Sequence, residues 1–258
     1  MAPFLDRGAT IVEGNLGDRD SLNRATEGVD VIVSAIQGGP DVIVDGQVAL
    51  AEIGLHNGVR RTLPSDYALD LFKATPGEHM MFDLRRHADE AIGATGIAHI
   101  HVLQGAFMEM FGPSMGTINY DGGVVTFWGD GTHPIEVTSV EDATRMVARV
   151  ALDRSVSSGK FAFAGDQVSI LDATRMIEAH TGRQFERRSR GSEADLRAAM
   201  TKAREDTANP SNVVMLAYQL YMLTGQTALN DLQNGRYPDV RLETFAAFAA
   251  RTLPKVVN

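Results

Sequence analysis

The chain has 258 residues, enough to bury a substantial core without disulfides, and a formal net charge of −9. That acidic balance argues against nucleic-acid binding and against a basic membrane-surface role. The absence of cysteine removes thiolate nucleophiles, iron–sulfur clusters and Cys-ligated zinc. No apolar run approaches the roughly 18 residues of a membrane span and MAPFLDRGAT carries no signal-peptide core, so a soluble cytoplasmic globule is expected.

In chain order, ATIVEG (9–14) reads as a strand and Asp18 and Ser21 open a helix over 19–27, stopped by Gly28. VDVIVSA (29–35) is a second strand, apolar on both faces as in a covered parallel sheet. Pro40 and Asp41 start a helix with Val44, Val48, Ala51 and Leu55 on one stripe, ending at Asn57-Gly58. RRTLPS (60–65) is a strand, 80–94 is a helix with Met81, Leu84, Ala88, Ala91 and Ile92 inward, and IAHIHVLQ (97–104) is a strand. This alternation predicts an α/β fold with right-handed crossovers and a parallel sheet covered by helices on both faces. Further on, 117–120, 124–128 and 160–164 read as short strands, and Ser139 with Asp142 opens a helix. Ser169 caps a helix ending at Gly182, 192–224 is helical with a break near Pro210, and 242–253 is a last helix.

Three motifs have plainer readings. Gly112-Pro-Ser-Met-Gly116 has the Gly-x-Ser-x-Gly spacing of a hydrolase elbow, which needs a strand before it and a helix after it. Neither pattern flanks Ser114, so a turn is expected there. His99 and His101 share a strand face at metal-binding spacing, but no neighbouring Asp/Glu/His cluster completes a shell. The expectation is a hydrogen-bonded face and no metal, with a metal hydrolase as an outlying alternative. Arg183, Arg187, Arg188 and Arg190 could hold a phosphate, but a solvated strand edge is the expected reading.

The strand ends carry the stronger signal, because ligands of open parallel sheets sit beyond the carboxyl ends. Those ends read Gly14-Asn-Leu-Gly-Asp18, Ser34-Ala-Ile-Gln-Gly38, Pro64-Ser-Asp-Tyr67 and Gln104-Gly-Ala-Phe107, all small or polar. GATIVEGNLGDRDSLNRATEGVDVIVSA, NGVRRTLPSDYALD, LQGAFMEMF, GDGTHPIEVTSVEDATRMVARVALD and YPDVRLETFAAF together resemble the NmrA-like group, atypical short-chain dehydrogenase/reductase-like proteins that include isoflavone-type reductases. The resemblance implies a Rossmann-like core over 1–155 and a returning strand with a mainly helical substrate-side region over 156–258, packed as one unit. It implies NAD(P) as cofactor, NADP ahead of NAD, with Asn15 and Leu16 on the adenine side. Ser34, Ala35, Ile36 and Gln37 would lie along ribose and pyrophosphate, and Ser65, Asp66, Tyr67, Gly105, Ala106 and Phe107 around nicotinamide and substrate. A small-molecule substrate, no nucleic acid, no membrane and room for a homodimer complete the expectation.

The sequence departs from that family in two respects. No Gly-x-Gly-x-x-Gly or Gly-x-x-Gly-x-x-Gly lies near the start, and a βαβ unit of about 30 residues has no counterpart. The 9–14 and 29–35 strands should therefore either pair directly or leave the first poorly supported, and cofactor binding should be impaired if that unit is absent. Reductases of the group also carry a Lys on the helix that here spans 80–94. Lys73, Lys160, Lys202 and Lys255 all lie elsewhere, and Arg85 takes that place as a cofactor-binding and catalytic candidate. Arg stays charged and is a poor proton donor near neutral pH. Tyr67 lacks a Lys four residues on, so proton delivery falls to Tyr67, Asp66 or water. Two functions follow: an NAD(P)H-dependent oxidoreductase acting on a small carbonyl or conjugated substrate, or a non-catalytic NAD(P)-sensing regulator. Substrate choice is assigned to 105–135 and 185–235.

Overall fold

The computed structural model describes residues 2–113, 117–206, 208–209 and 211–254, and divides the chain into two compact units interleaved in sequence. The first comprises Met1–Ser65, Leu84–His101 and Ala151–Gly159. After one helical turn, α1 (Ala2–Leu5), it contains α2 (Arg19–Thr26), β1 (Val31–Val33), α3 (Gln47–His56), β2 (Arg61–Leu63), α4 (Met80–Ala94) from Leu84 onward and the start of β3 (Ala98–Leu103). Asp18 caps α2 by accepting a hydrogen bond from the Asp20 N–H at 3.0 Å. β1, β2 and β3 pair in parallel, with Val31 opposite Arg61 and Arg61 opposite Ala98. Ile32 of β1 meets Ala51 of α3 and Ile92 of α4 in a buried cluster with Val59 and Ile97.

The sequence pattern placed these elements, with corrections. The strands are shorter than predicted because the chain leaves the sheet at Ser34 and Pro64. Ala9–Gly14 forms no strand: it joins no β pair among the described residues, and Ile11 and Val12 stand about half exposed (52% and 48%). β-branched residues favour extension, but a strand needs a neighbour, and β1 ends its sheet with β2 as its only partner. Of the two outcomes foreseen, poor support is the one observed. The helix begun at Asp41 opens as a wider π turn (Asp41–Gly46) before tightening into α3, and Leu55 on its expected inner stripe is exposed.

The second unit comprises Asp66–Asp83, Val102–Val150 and Lys160–Asn258. It holds the end of β3, then β4 (Ala106–Phe107), β5 (Ile118–Asn119), β6 (Val124–Phe127), β7 (Ile135–Thr138) and α5 (Val140–Leu152). These are followed by β8 (Gly159–Ala162), β9 (Asp166–Val168), α6 (Ile170–Thr181), β10 (Glu186–Ser189), α7 (Glu193–Glu205), α8 (Ser211–Thr224) and α9 (Phe245–Thr252). The end of β3 neighbours β8, and the Phe163 N–H donates to the Leu103 carbonyl. β4 and β9 flank β7, parallel and antiparallel respectively, while β5 and β10 flank β6. Met108, Phe111, Val137, Ile177 and Phe245 anchor the largest core cluster. Ser169 and Asp172 form the reciprocal cap of α6, which ends on Gly182 at φ 75°, a left-handed position that suits glycine. α7 opens on a second such box, Ser192 with Asp195.

Candidate functional site

In the first unit the predicted cofactor loops are tied down by backbone-directed polar groups. The Asn15 N–H donates to Ser21 Oγ, which in turn donates to the Asn15 carbonyl, so the Asn15–Leu16 turn is held against α2. Leu16 lies on Gly46, where an added Cβ would come within 2.9 Å of Leu16 Cβ. Ser65 Oγ donates to the Ile36 carbonyl at 2.8 Å and accepts from the Ile36 N–H at 3.0 Å, joining the chain ends of β1 and β2. The Ser65 N–H donates to Gln47 Oε1 and the Ser65 carbonyl accepts from Arg85 Nε, at 2.9 and 2.8 Å. Ser65, Ile36 and Arg85 are therefore brought together, with Gln47 as a supporting residue the sequence did not flag. Ser34 Oγ is buried without a hydrogen-bond partner, while Ala35 and Gln37 are exposed.

In the second unit the Tyr67 loop meets the end of β3. The Ala68 carbonyl accepts from the N–H groups of both Gln104 and Gly105 at 3.2 Å, which sets Asp66–Ala68 beside Gly105, Ala106 and Phe107. Gly105 has φ 76°, and a Cβ there would lie 2.3 Å from the Glu136 carbonyl oxygen. Tyr67 has φ 23°, unusual for a bulky residue. Its hydroxyl is buried with no partner among the described residues. Burial and then the adjacent Asp66 charge push its pKa well above the ordinary value for tyrosine.

Ser114 lies outside the described residues. His99 Nδ1 is 3.0 Å from the Ile97 carbonyl, and buried His101 lies 3.6 Å from Asp89, an α4 carboxylate that spacing alone did not associate with it. The arginine run does not form a phosphate cluster. Arg187 pairs with Glu178 and Arg188 with Glu186, while Arg183 donates to the Tyr120 carbonyl and stands over its ring. β10, at the end of its sheet, is exposed throughout, as a solvated edge should be. Burial opposes ionisation of Glu178, but hydrogen bonds from Arg187 and the Phe185 N–H together with the Arg187 charge outweigh it and lower its pKa. A depressed carboxylate stabilises the fold above its unfolded value of 4.5 and loses that contribution as pH falls through the folded pKa. Glu178→Gln should flatten the acid limb of unfolding free energy against pH, measured by urea titration. An unchanged limb would show that the pair contributes nothing.

The second unit also holds a cavity of about 170 Å³, lined by Met110, Phe127, Trp128, Arg190 and Met222 among others. Apart from Ile170, its lining falls within 105–135 and 185–235, the segments set aside for substrate choice.

The NmrA-like family model matches residues 2–239. The chain belongs to the NmrA-like family. Among curated relatives of this NmrA-like protein, pinoresinol reductase 2 of Arabidopsis thaliana is 30% identical over 165 residues, 59% of this chain and 51% of that protein. The chain thus aligns with about half the length of that relative. Isoflavone reductase homolog P3 of Arabidopsis thaliana is 24% identical over 239 residues, 88% of this chain and 74% of that protein. The solved binary complex of leucoanthocyanidin reductase with NADPH from Vitis vinifera superposes with a TM-score of 0.81 at 19% identity, covering 97% of this chain and 87% of that one. This likeness establishes the α/β, Rossmann-like fold. No helix among the described residues is long and apolar enough to cross a membrane.

Proposed function

We propose that this NmrA-like chain is an NADPH-dependent oxidoreductase relative acting on a small carbonyl or conjugated substrate. The carrying observation is the Tyr67 loop: a buried hydroxyl lacking a partner, beside a glycine whose neighbours leave no room for a side chain. Buried polar atoms are normally paired, so such a hydroxyl is suited to a partner the chain does not supply. Ser34 Oγ poses the same demand after β1. Each is a demand that a polar dinucleotide can meet on its own. Asn15 and Leu16 would hold the adenine side, Ser34–Gln37 the ribose and pyrophosphate, and Ser65, Asp66, Tyr67 and Gly105–Phe107 the nicotinamide end. NADPH, when bound, supplies a hydride.

The chain's own groups then determine binding and proton handling. Tyr67, with its pKa raised, stays protonated at neutral pH, so it donates a hydrogen bond to a carbonyl oxygen far more readily than it yields its proton. Arg85, anchored through Nε to the Ser65 carbonyl at 2.8 Å, fixes a permanent positive charge beside that loop. Both features also favour a second reading: a dinucleotide-sensing regulator that binds without turnover, because neither residue is an effective acid.

Titration of the purified chain with NADPH and NADH by cofactor fluorescence, followed by assays with aldehydes and quinones, tests both. Turnover supports the reductase, binding alone supports the regulator, and no binding of either dinucleotide overturns both. Tyr67→Phe should raise the stability of the ligand-free protein by about 1 kcal/mol, since a partnerless buried hydroxyl is removed. The same change should weaken NADPH binding or slow turnover. If turnover is intact in this variant, Tyr67 has no catalytic part.

A further inference from the structure

We propose that the cavity of the second unit binds a single-ring aromatic carboxylate, with the ring among its apolar side chains and the carboxylate on Arg190. Reading this ligand as the substrate rests on the reductase proposed above; its binding does not. Three observations converge. A cavity of about 170 Å³ is close to the ~150 Å³ void that holds one benzene ring, so a six-membered ring with a short substituent fills it. Its walls are rich in Met110, Met215 and Met222, pliable side chains that mould to a flat ligand, with Phe127 and Trp128 supplying aromatic surface.

The third observation is charge. Arg190 and His133 line the cavity, and no Asp or Glu does. Arg187 and Arg188 each have a carboxylate partner, whereas Arg190 has none among the described residues. Its guanidinium stands 4.9 Å over the Trp128 ring, and its backbone is fixed by the N–H bond to the Phe127 carbonyl. Stacking orients a guanidinium without consuming its in-plane donors, which match the two oxygens of a carboxylate. Trp128 is held from the other side by its Nε1–H bond to Gln219 Oε1 at 2.7 Å. The platform for Arg190 is therefore built before any ligand arrives.

Trp128 is the only tryptophan in the chain, so its emission reports directly on the cavity. Calorimetry and Trp128 fluorescence would be run on the whole chain without NADPH, using benzoate, benzyl alcohol, acetate and inorganic phosphate. Benzoate should bind and shift Trp128 emission, with each of the other three at least about tenfold weaker, the scale of one charge-assisted hydrogen bond or of ring burial. Arg190→Gln should lose about tenfold for benzoate and leave benzyl alcohol unchanged. Met222→Trp, checked for a native far-ultraviolet spectrum and read by calorimetry alone, should weaken both ring compounds by filling the space. Benzyl alcohol, acetate or phosphate matching benzoate, indifference to Arg190→Gln, or no benzoate binding at millimolar concentration would overturn the proposal. NADPH is titrated separately: a chain that binds benzoate but no dinucleotide retains this site and loses the reductase reading.

Discussion

Replacing Gly105 with valine is expected to lower the unfolding free energy by about 3 kcal/mol or more, the largest effect of any single substitution considered. Two costs add. A φ of 76° is left-handed, strained by about 1–2 kcal/mol for a residue with a Cβ and worse for a β-branched one. The new Cβ would also lie 2.3 Å from the Glu136 carbonyl oxygen, which is backbone of β7 and cannot swing aside. Relief requires β4 to separate from β7, where Ala106 pairs with Val137. Because the Gly105 N–H also donates to the Ala68 carbonyl, the Tyr67 loop would shift with it. Urea unfolding followed by circular dichroism measures the loss. A Gly105→Val protein as stable as the parent would mean that the approach of β4 to β7 has been misplaced.

Ser65→Ala is expected to cost about 2–3 kcal/mol, large for the removal of one oxygen. Ser65 is 4% exposed, and its hydroxyl both donates to and accepts from Ile36, so alanine leaves a backbone N–H and a carbonyl without those bonds at the end of β1. The other bonds of Ser65, to Gln47 and Arg85, run through its own backbone and survive the change. The consequence for binding is distinct from that for stability. If Ser34–Gln37 holds the dinucleotide, releasing Ile36 should weaken NADPH by about tenfold. Loss of stability with unchanged NADPH affinity would remove Ser34–Gln37 from the cofactor site.

The parts of the fold legible in the sequence were those determined by nearby residues. The periodicity of Met81, Leu84, Ala88 and Ile92 placed α4, and Ser169 with Gly182 bracketed α6 because both caps act within one turn of the helix ends. β7 and β9 were not read. They pair antiparallel at Ile135–Val168, some thirty residues apart, and Glu136 and Thr138 within β7 are buried although their alternation with Ile135 and Val137 marks them for a solvent face. Ala9–Gly14 failed in the opposite sense: its composition suited a strand, but whether it became one depended on a partner.

The candidate site divides in the same way. Small and polar residues at the strand ends pointed to the loops, and the tie from Ser65 to Ile36 became visible only once β1 and β2 were side by side. Among the four clustered arginines, composition could not tell which two would find a carboxylate. That depended on Glu178 and Glu186 having claimed Arg187 and Arg188.

β1 has a further consequence for how the molecule behaves in company. Among the described residues it has β2 as its one strand neighbour and carries Val33, 44% exposed, while upstream of α2 the stretch Ala9–Gly14, with Ile11 and Val12 about half exposed, joins no strand either. A rim of that kind accepts whatever ribbon of polypeptide reaches it first. Addition of that segment from a second molecule to this edge is the expected route of any self-association, and dilution should reverse it.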